Sequence, residues 1–125
     1  MIVGLGIDII EIEKLRAALG RRGDRLRDRI FTRTEIRYCD NRTNKFQHYA
    51  ARFAAKEALF KALGTGWSKG VGWHDAEVCN LPTGQPQLLL AGKACKIATQ
   101  LGATKFWISL THTDQYAGAE VILES

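Results

Sequence analysis

The chain has 125 residues, 46% apolar and 25% charged, which suits one domain over 1–125 with an ordinary core and no second domain. No stretch approaches the roughly 20 apolar residues of a membrane span, and "MIVGLGIDII" carries Asp8 and lacks the basic start and cleavage site of a secretory signal. Net charge is +5, but from Lys14 to Arg37 nine basic residues stand against three acidic ones, so that segment alone is +6 and calls for an acidic protein or a polyanion.

"IVGLGIDI" (2–9) is β-branched and broken by glycines, which predicts a strand that lets another backbone come close. From about Glu11 the period changes. Ile12, Leu15 and Leu19 form a helical stripe expected to end at Gly20 as a C′ glycine. Asp24 is placed to cap a short helix turning Leu26 and Ile30 inward, and "TRTE" matches a capping box from Thr32 to Glu35. A long helix follows from about Asn44 to Leu63 and stops at "GTG" (64–66). "WSKGVGW" reads as a connection, and "AEVCNL" and "QPQLLLA" as strands joined through "PTG". "GKACKIATQLG" is a short helix with Ile97 and Leu101 four apart, and "KFWISLTHT" and "YAGAEVILE" form a last strand pair joined near "TDQ". Helices lead and strands follow, so the class is α+β. Cys39, Cys79 and Cys95 are scattered and odd in number, which suits reduced thiols in a cytoplasm. Trp67, Trp73 and Trp107 read as core or interface residues.

The helix "RFAAKEALFKALGTG" (52–66) poses the chemical question. Its apolar residues go nearly all the way round, as in a buried helix, yet Arg52, Lys56, Glu57 and Lys61 lie among them, and buried charges need partners. Glu57 and Lys61 are at i, i+4, the spacing of a plain surface ion pair. Asp8, at the end of an apolar strand, suits either a helix cap or, together with Glu57, a grip on a divalent ion; Mg²⁺ takes one or two protein carboxylates and completes its shell with phosphates and waters. The "GTG" small residues suggest backbone N–H groups open to a phosphate, and "THT" (111–113) ends a strand with three hydrogen-bonding side chains. His48 and His74 have no partner at metal spacing and receive no role, and Lys56 is left unplaced, with a purely structural role as one option. Two carboxylates, a lysine, glycine backbone and a basic helix together suit phosphoryl-type transfer, where positioning and charge neutralisation do most of the work.

"GLGIDIIEIEKL", "DRIFTRTE", "RFAAKEALFKALGTG", "NLPTGQPQL" and "ISLTHTDQYAGAEVILE" resemble, in order and from end to end, the bacterial holo-(acyl-carrier-protein) synthases, short single-repeat 4′-phosphopantetheinyl transferases. The resemblance implies their fold, transfer of the phosphopantetheine arm of coenzyme A to a serine of an acidic acyl carrier protein, and release of adenosine 3′,5′-bisphosphate. It implies Asp8 and Glu57 as Mg²⁺ ligands and Lys61 near the pyrophosphate; the expected mechanism makes Glu57, Lys61 and Asp8 catalytic, with Glu57 taking the serine proton, directly or through a metal-bound water, and Lys61 neutralising the leaving bisphosphate. Coenzyme A falls to Arg52, Lys61, Gly64, Thr65, Gly66, Pro82, Gly84, Pro86, Thr111, His112 and Thr113. Carrier docking falls to Lys14, Arg16, Arg21, Arg22 and Arg25, where Lys14 replaces the family's usual arginine and loses the two-pronged carboxylate contact. A homotrimer with sites between protomers is implied, which lets Arg52, about 140° round the helix from Glu57, still meet ligand. A nucleic-acid-binding module is the rival reading, favoured by the arginines, but no such motif is present and the aromatics do not interleave with the basic residues as stacking platforms would. An inactive trimeric scaffold is the other rival.

Overall fold

The computed structural model describes residues 1–66 and 68–125; Trp67, expected in the core or an interface, lies outside the described residues. In chain order come β1 (Ile2–Glu11), α1 (Ile12–Ile30), α2 (Arg33–Asp40), α3 (Lys45–Leu63), a 3-10 turn (Trp73–Asp75), β2 (Ala76–Asn80), β3 (Pro86–Leu90), α4 (Gly92–Gln100), β4 (Lys105–His112) and β5 (Tyr116–Glu124). β5 is the middle strand of an antiparallel sheet ordered β1-β5-β4, and β2 and β3 form a separate antiparallel hairpin. The α+β expectation holds.

α3 is the centre of the molecule. Ala54, Ala55, Ala58, Leu59 and Ala62 are buried on several sides of it, joined in one core by Val121 and Leu123 of β5 and Val78 of β2. Small side chains matter because the sheet lies almost on the helix backbone. A Cβ built on Gly6 would stand 1.9 Å from the Ala58 carbonyl oxygen, and one on Gly4 2.4 Å from that of Ala62. No side chain fits there, so the glycines of "GLG" set the strand-to-helix distance. A second core gathers Ile12, Leu15 and Leu19 of α1 with Phe31, Cys39 and Tyr49.

Local signals decide most boundaries. Thr32 and Glu35 form the expected capping box, and α3 ends at Gly64 in the left-handed conformation, φ 77°. The expected stop at Gly20 is wrong. α1 runs on, and the break falls at Gly23 with φ 63°, just before Asp24, whose carboxylate pairs with Arg27 at 3.4 Å. That kink still leaves Ile30 buried. Leu101 caps α4 and is exposed instead of continuing the stripe of Ile97. Trp73 packs on Phe53 and Phe60, whereas Trp107 is exposed, with its indole N–H donating to Glu124.

The outer face of the sheet carries an exposed apolar group beside polar residues, with Glu120 directly opposite Ile7. Leu5, Ile7 and Ile9 of β1 are 60%, 66% and 70% exposed, and Trp107 joins them through Ile122, opposite both Leu5 and Trp107. Among the described residues no helix is long and apolar enough to cross a membrane.

Candidate active site

The close approach of β1 to α3 carries Asp8 to the helix, since Gly4, Gly6 and Asp8 alternate onto one face of the strand. Lys61, whose side chain leans toward the helix N-terminus as helical side chains do, puts its Nζ 3.0 Å from Asp8 Oδ1 and 3.0 Å from the Ile7 carbonyl oxygen. The ion pair of Lys61 is therefore with Asp8 and not with Glu57 at i, i+4. Glu57, half-buried one turn earlier, has its carboxyl held above the usual carboxylate range, first by burial and then by the negative charge of Asp8, with Lys61 opposing. The two acids thus feel each other, with one lysine shared between them. Ser109, Thr111 and Glu120 border the same depression on the sheet side.

Lys56, the neighbour of Glu57, is fully buried and is structural. Its ammonium pairs with Glu35 at 2.9 Å and donates to the carbonyls of Trp73 (2.9 Å) and Ala76 (2.6 Å). Glu35 also accepts from the Thr32 and Val78 amides. Sequence alone did not reveal this pairing.

A second cluster lies on another side of α3. Arg52, Gly84, Pro86 and His112 line one pocket of about 470 Å³ with Tyr38, His48 and Asn80, and Arg52, Pro82 and Gly84 line its neighbour with Tyr38 and Arg42. Arg52 is 1% exposed, donates from Nη2 to Asn80 Oδ1 at 2.6 Å and stacks on Tyr38 with its guanidinium 4.1 Å from the ring centroid. Its Nε, also buried, has no hydrogen-bond partner among the described residues. His48, Tyr38, Arg42 and Asn80 were not singled out for this pocket from sequence. For His48 the signal was there in its four-residue spacing with Arg52, which puts both on one face of α3; Arg42 lies beyond the end of α2, where no helical spacing applies.

One sequence expectation needs correction. The amides of Gly64, Thr65 and Gly66 are not open to a phosphate: they donate to the carbonyls of Lys61, Phe60 and Phe60 and close the helix C-terminus. The Thr113 hydroxyl accepts from the Gln115 and Tyr116 amides within the β4–β5 turn. Within one chain, then, the expected residues fall into two clusters, Asp8–Glu57–Lys61 and Arg52–Pro82–Gly84–Pro86–His112, and are not all at one place.

Lys14, Arg16, Arg21, Arg22 and Arg25 are all exposed along α1. Lys14 lies 3.6 Å from Glu11, and Arg16 sits over Phe46 at the edge of a recess of about 770 Å³ between the starts of α1 and α3 and the β4–β5 turn. His74 donates to the Asp28 carbonyl. The three cysteines are free, and burial pushes the Cys39 thiol up to about 12.

An acid pair on a strand and a helix, one lysine between them, and a cationic pocket round the helix define a transferase that handles phosphates. The sequence pattern of the 4′-phosphopantetheinyl transferase superfamily matches residues 4–119, and the chain belongs to that family. Its relatives include the holo-(acyl-carrier-protein) synthase of Koribacter versatilis, 50% identical over 124 residues and 99% of both chains. The crystal structure of the Neisseria meningitidis synthase superposes with a TM-score of 0.89 at 28% identity, covering 100% of both chains. That of the Bacillus anthracis enzyme, in complex with CoA (3′,5′-ADP), gives 0.82 at 36% identity, covering 100% of this chain and 98% of the other.

Proposed function

We propose that this enzyme moves the 4′-phosphopantetheine group of coenzyme A onto a serine of apo-acyl carrier protein, releasing adenosine 3′,5′-bisphosphate, in a Mg²⁺-dependent reaction that serves fatty acid biosynthesis in the cytoplasm. The observation that carries this reading is the Asp8–Lys61–Glu57 cluster, in which burial and the charge of Asp8 disfavour an ionised Glu57, a cost that a cation offsets. Relatives and structural neighbours named holo-(acyl-carrier-protein) synthase, some solved with coenzyme A, support the substrates.

Two hard carboxylate oxygens fit Mg²⁺, and Asp8 and Glu57 would hold it; when bound it supplies charge neutralisation at the pyrophosphate. The protein's own groups do the rest. Glu57 accepts the proton of the attacking serine hydroxyl; its raised pKa makes it a stronger base than a solvated glutamate. Lys61, already beside Asp8, neutralises the oxygen of the departing bisphosphate. Arg52 with Pro82, Gly84, Pro86 and His112 takes the nucleotide end. Thr111 borders the acid cluster, and Gly64, Thr65 and Gly66 act through the shape of the helix end.

A homotrimer joins the two clusters. One chain holds them on different sides of α3, and the exposed group of Leu5, Ile7, Ile9 and Trp107 is the apolar surface such an assembly covers. Lys14, Arg16, Arg21, Arg22 and Arg25 then steer the acidic carrier. The test is a mass measurement: apo-carrier incubated with enzyme, coenzyme A and Mg²⁺ gains the phosphopantetheine mass, and omission of Mg²⁺ abolishes the gain. Asp8→Ala lowers turnover by orders of magnitude. Near-normal turnover of that variant overturns the assignment.

A further inference from the structure

The pocket around Arg52 is more positive than its neighbours neutralise. Arg42 and Arg52 lie 4.2 and 4.1 Å from the centroid of the same Tyr38 ring. His48 meets that ring edge-on at 5.6 Å, and His112 of β4 comes within 6.3 Å of His48. Among the described residues neither Arg42 nor Arg52 makes an ion pair with a carboxylate. Asp40, at the end of α2, is engaged by the Tyr49 hydroxyl and Arg27. Arg52 Nε meanwhile is buried without an acceptor among the described residues. Crowded like charges and an unmatched buried donor are what an arriving anion relieves. Coenzyme A carries one group that reaches a second negative charge near neutrality, the phosphate monoester on its ribose, with a second ionisation near pH 6 like other phosphate monoesters.

We propose that His48 is a proton-linked contact to that phosphate monoester, neutral in the free enzyme and charged once the dianion sits between it, Arg42 and Arg52. The inference rests on the transferase reading above and adds to it a binding residue and a pH dependence. Burial holds the free His48 imidazole below the usual histidine range, reinforced by Arg52 on its own helix, Arg42 beyond the end of α2 and His112 on β4. A dianion reverses the sign of that field, so binding takes up a proton from solvent. The linkage strengthens affinity as pH falls from about 8 toward 6.5, until the phosphate itself begins to protonate.

The experiment is calorimetry of the full chain at pH 7, in buffers of different ionisation enthalpy, with coenzyme A and with its analogue lacking the ribose phosphate. Proton uptake is expected with coenzyme A alone. It is lost in His48→Gln and kept in His112→Gln. His48→Gln also weakens coenzyme A about tenfold at pH 6.5, the loss expected for one hydrogen bond to a charged group, and less at pH 8. An NMR titration of His48 in the unaltered protein, with and without coenzyme A, gives the same answer without a variant. Equal uptake with the two ligands, uptake retained in His48→Gln, or a His48 titration unmoved by bound coenzyme A overturns the proposal and leaves the transferase reading standing. Failure of coenzyme A to bind at all removes both.

Discussion

Replacing either member of the Glu35–Lys56 pair tests the idea that a buried charge pair, and not hydrophobic packing alone, fixes the helix that carries Glu57. Both side chains are 0% exposed. Glu35 takes three donors, from Thr32, Val78 and Lys56, and the three ammonium protons of Lys56 go to Glu35, Trp73 and Ala76. The pair thereby ties α2 and α3 to the start of β2. Burial lowers the Lys56 pKa and Glu35 opposes that shift, so each charge depends on the other. Lys56→Met leaves a carboxylate in the interior, and Glu35→Leu leaves an ammonium there. Each is expected to cost about 3–5 kcal/mol, a large share of the roughly 5–15 kcal/mol that holds a domain folded. Glu35→Leu/Lys56→Met removes both charges but strands the Val78 amide, worth about 1–3 kcal/mol. The double variant should therefore be at least about 2 kcal/mol more stable than the sum of two charge-leaving single variants. Urea unfolding followed by circular dichroism, at one protein concentration because association adds stability, measures all three. Single losses under about 1 kcal/mol, or strict additivity, refute the reasoning.

Glu57 competes with protons for any cation, and its pKa is raised by burial and by Asp8. Ionised Glu57 therefore costs stability above that raised pKa, a cost that disappears as pH falls through it, and Mg²⁺ affinity by calorimetry should fall over the same window, above the ordinary glutamate range. Asp8→Asn should move the window down; an unmoved window removes Asp8 as a cause. Carrier kcat/KM should fall with added salt, since charges are screened over about 8–10 Å near physiological ionic strength, and Arg21→Glu/Arg22→Glu should flatten that dependence; a salt-independent rate in the unaltered enzyme leaves the basic face of α1 without a task. The proposed trimer predicts a trimer mass by light scattering that Ile7→Glu reduces to that of a monomer; a monomer mass in the unaltered protein removes the assembly, and a trimer that survives the substitution does not use the outer sheet face.

What the residues disclosed in advance divides by distance along the chain. The capping box of Thr32 and Glu35, the stop at Gly64 and the β2–β3 turn depend on a few neighbouring residues, and all were legible. Gly20 and Gly23 look alike in a sequence, and only the path of the chain shows which one adopts positive φ. The carboxylate of Glu35 was read as a cap and is one, but its other oxygen serves Val78, which no local pattern announces. Asp8 and Glu57 were paired as a grip on a divalent ion from residue type and placement on separate elements, with a helix cap as the alternative for Asp8, and the family resemblance pointed to the same pair. Lys61 was free to pair with Glu57 by spacing, and Asp8 took it because the strand lies so near. The "GTG" amides were misjudged because a helix C-terminus engages its own donors before any ligand does.

The Gly6 contact with the Ala58 carbonyl makes the acid pair an affair of main chain against main chain. Replacement by alanine alters no group that meets substrate, yet it would wedge the strand away from the helix and lift one acid from the other. A methyl group there acts as a spacer between the jaws of a vice. The enzyme's chemistry is thus open to loss at a position with no chemistry of its own, two residues away from the carboxylate whose place it keeps.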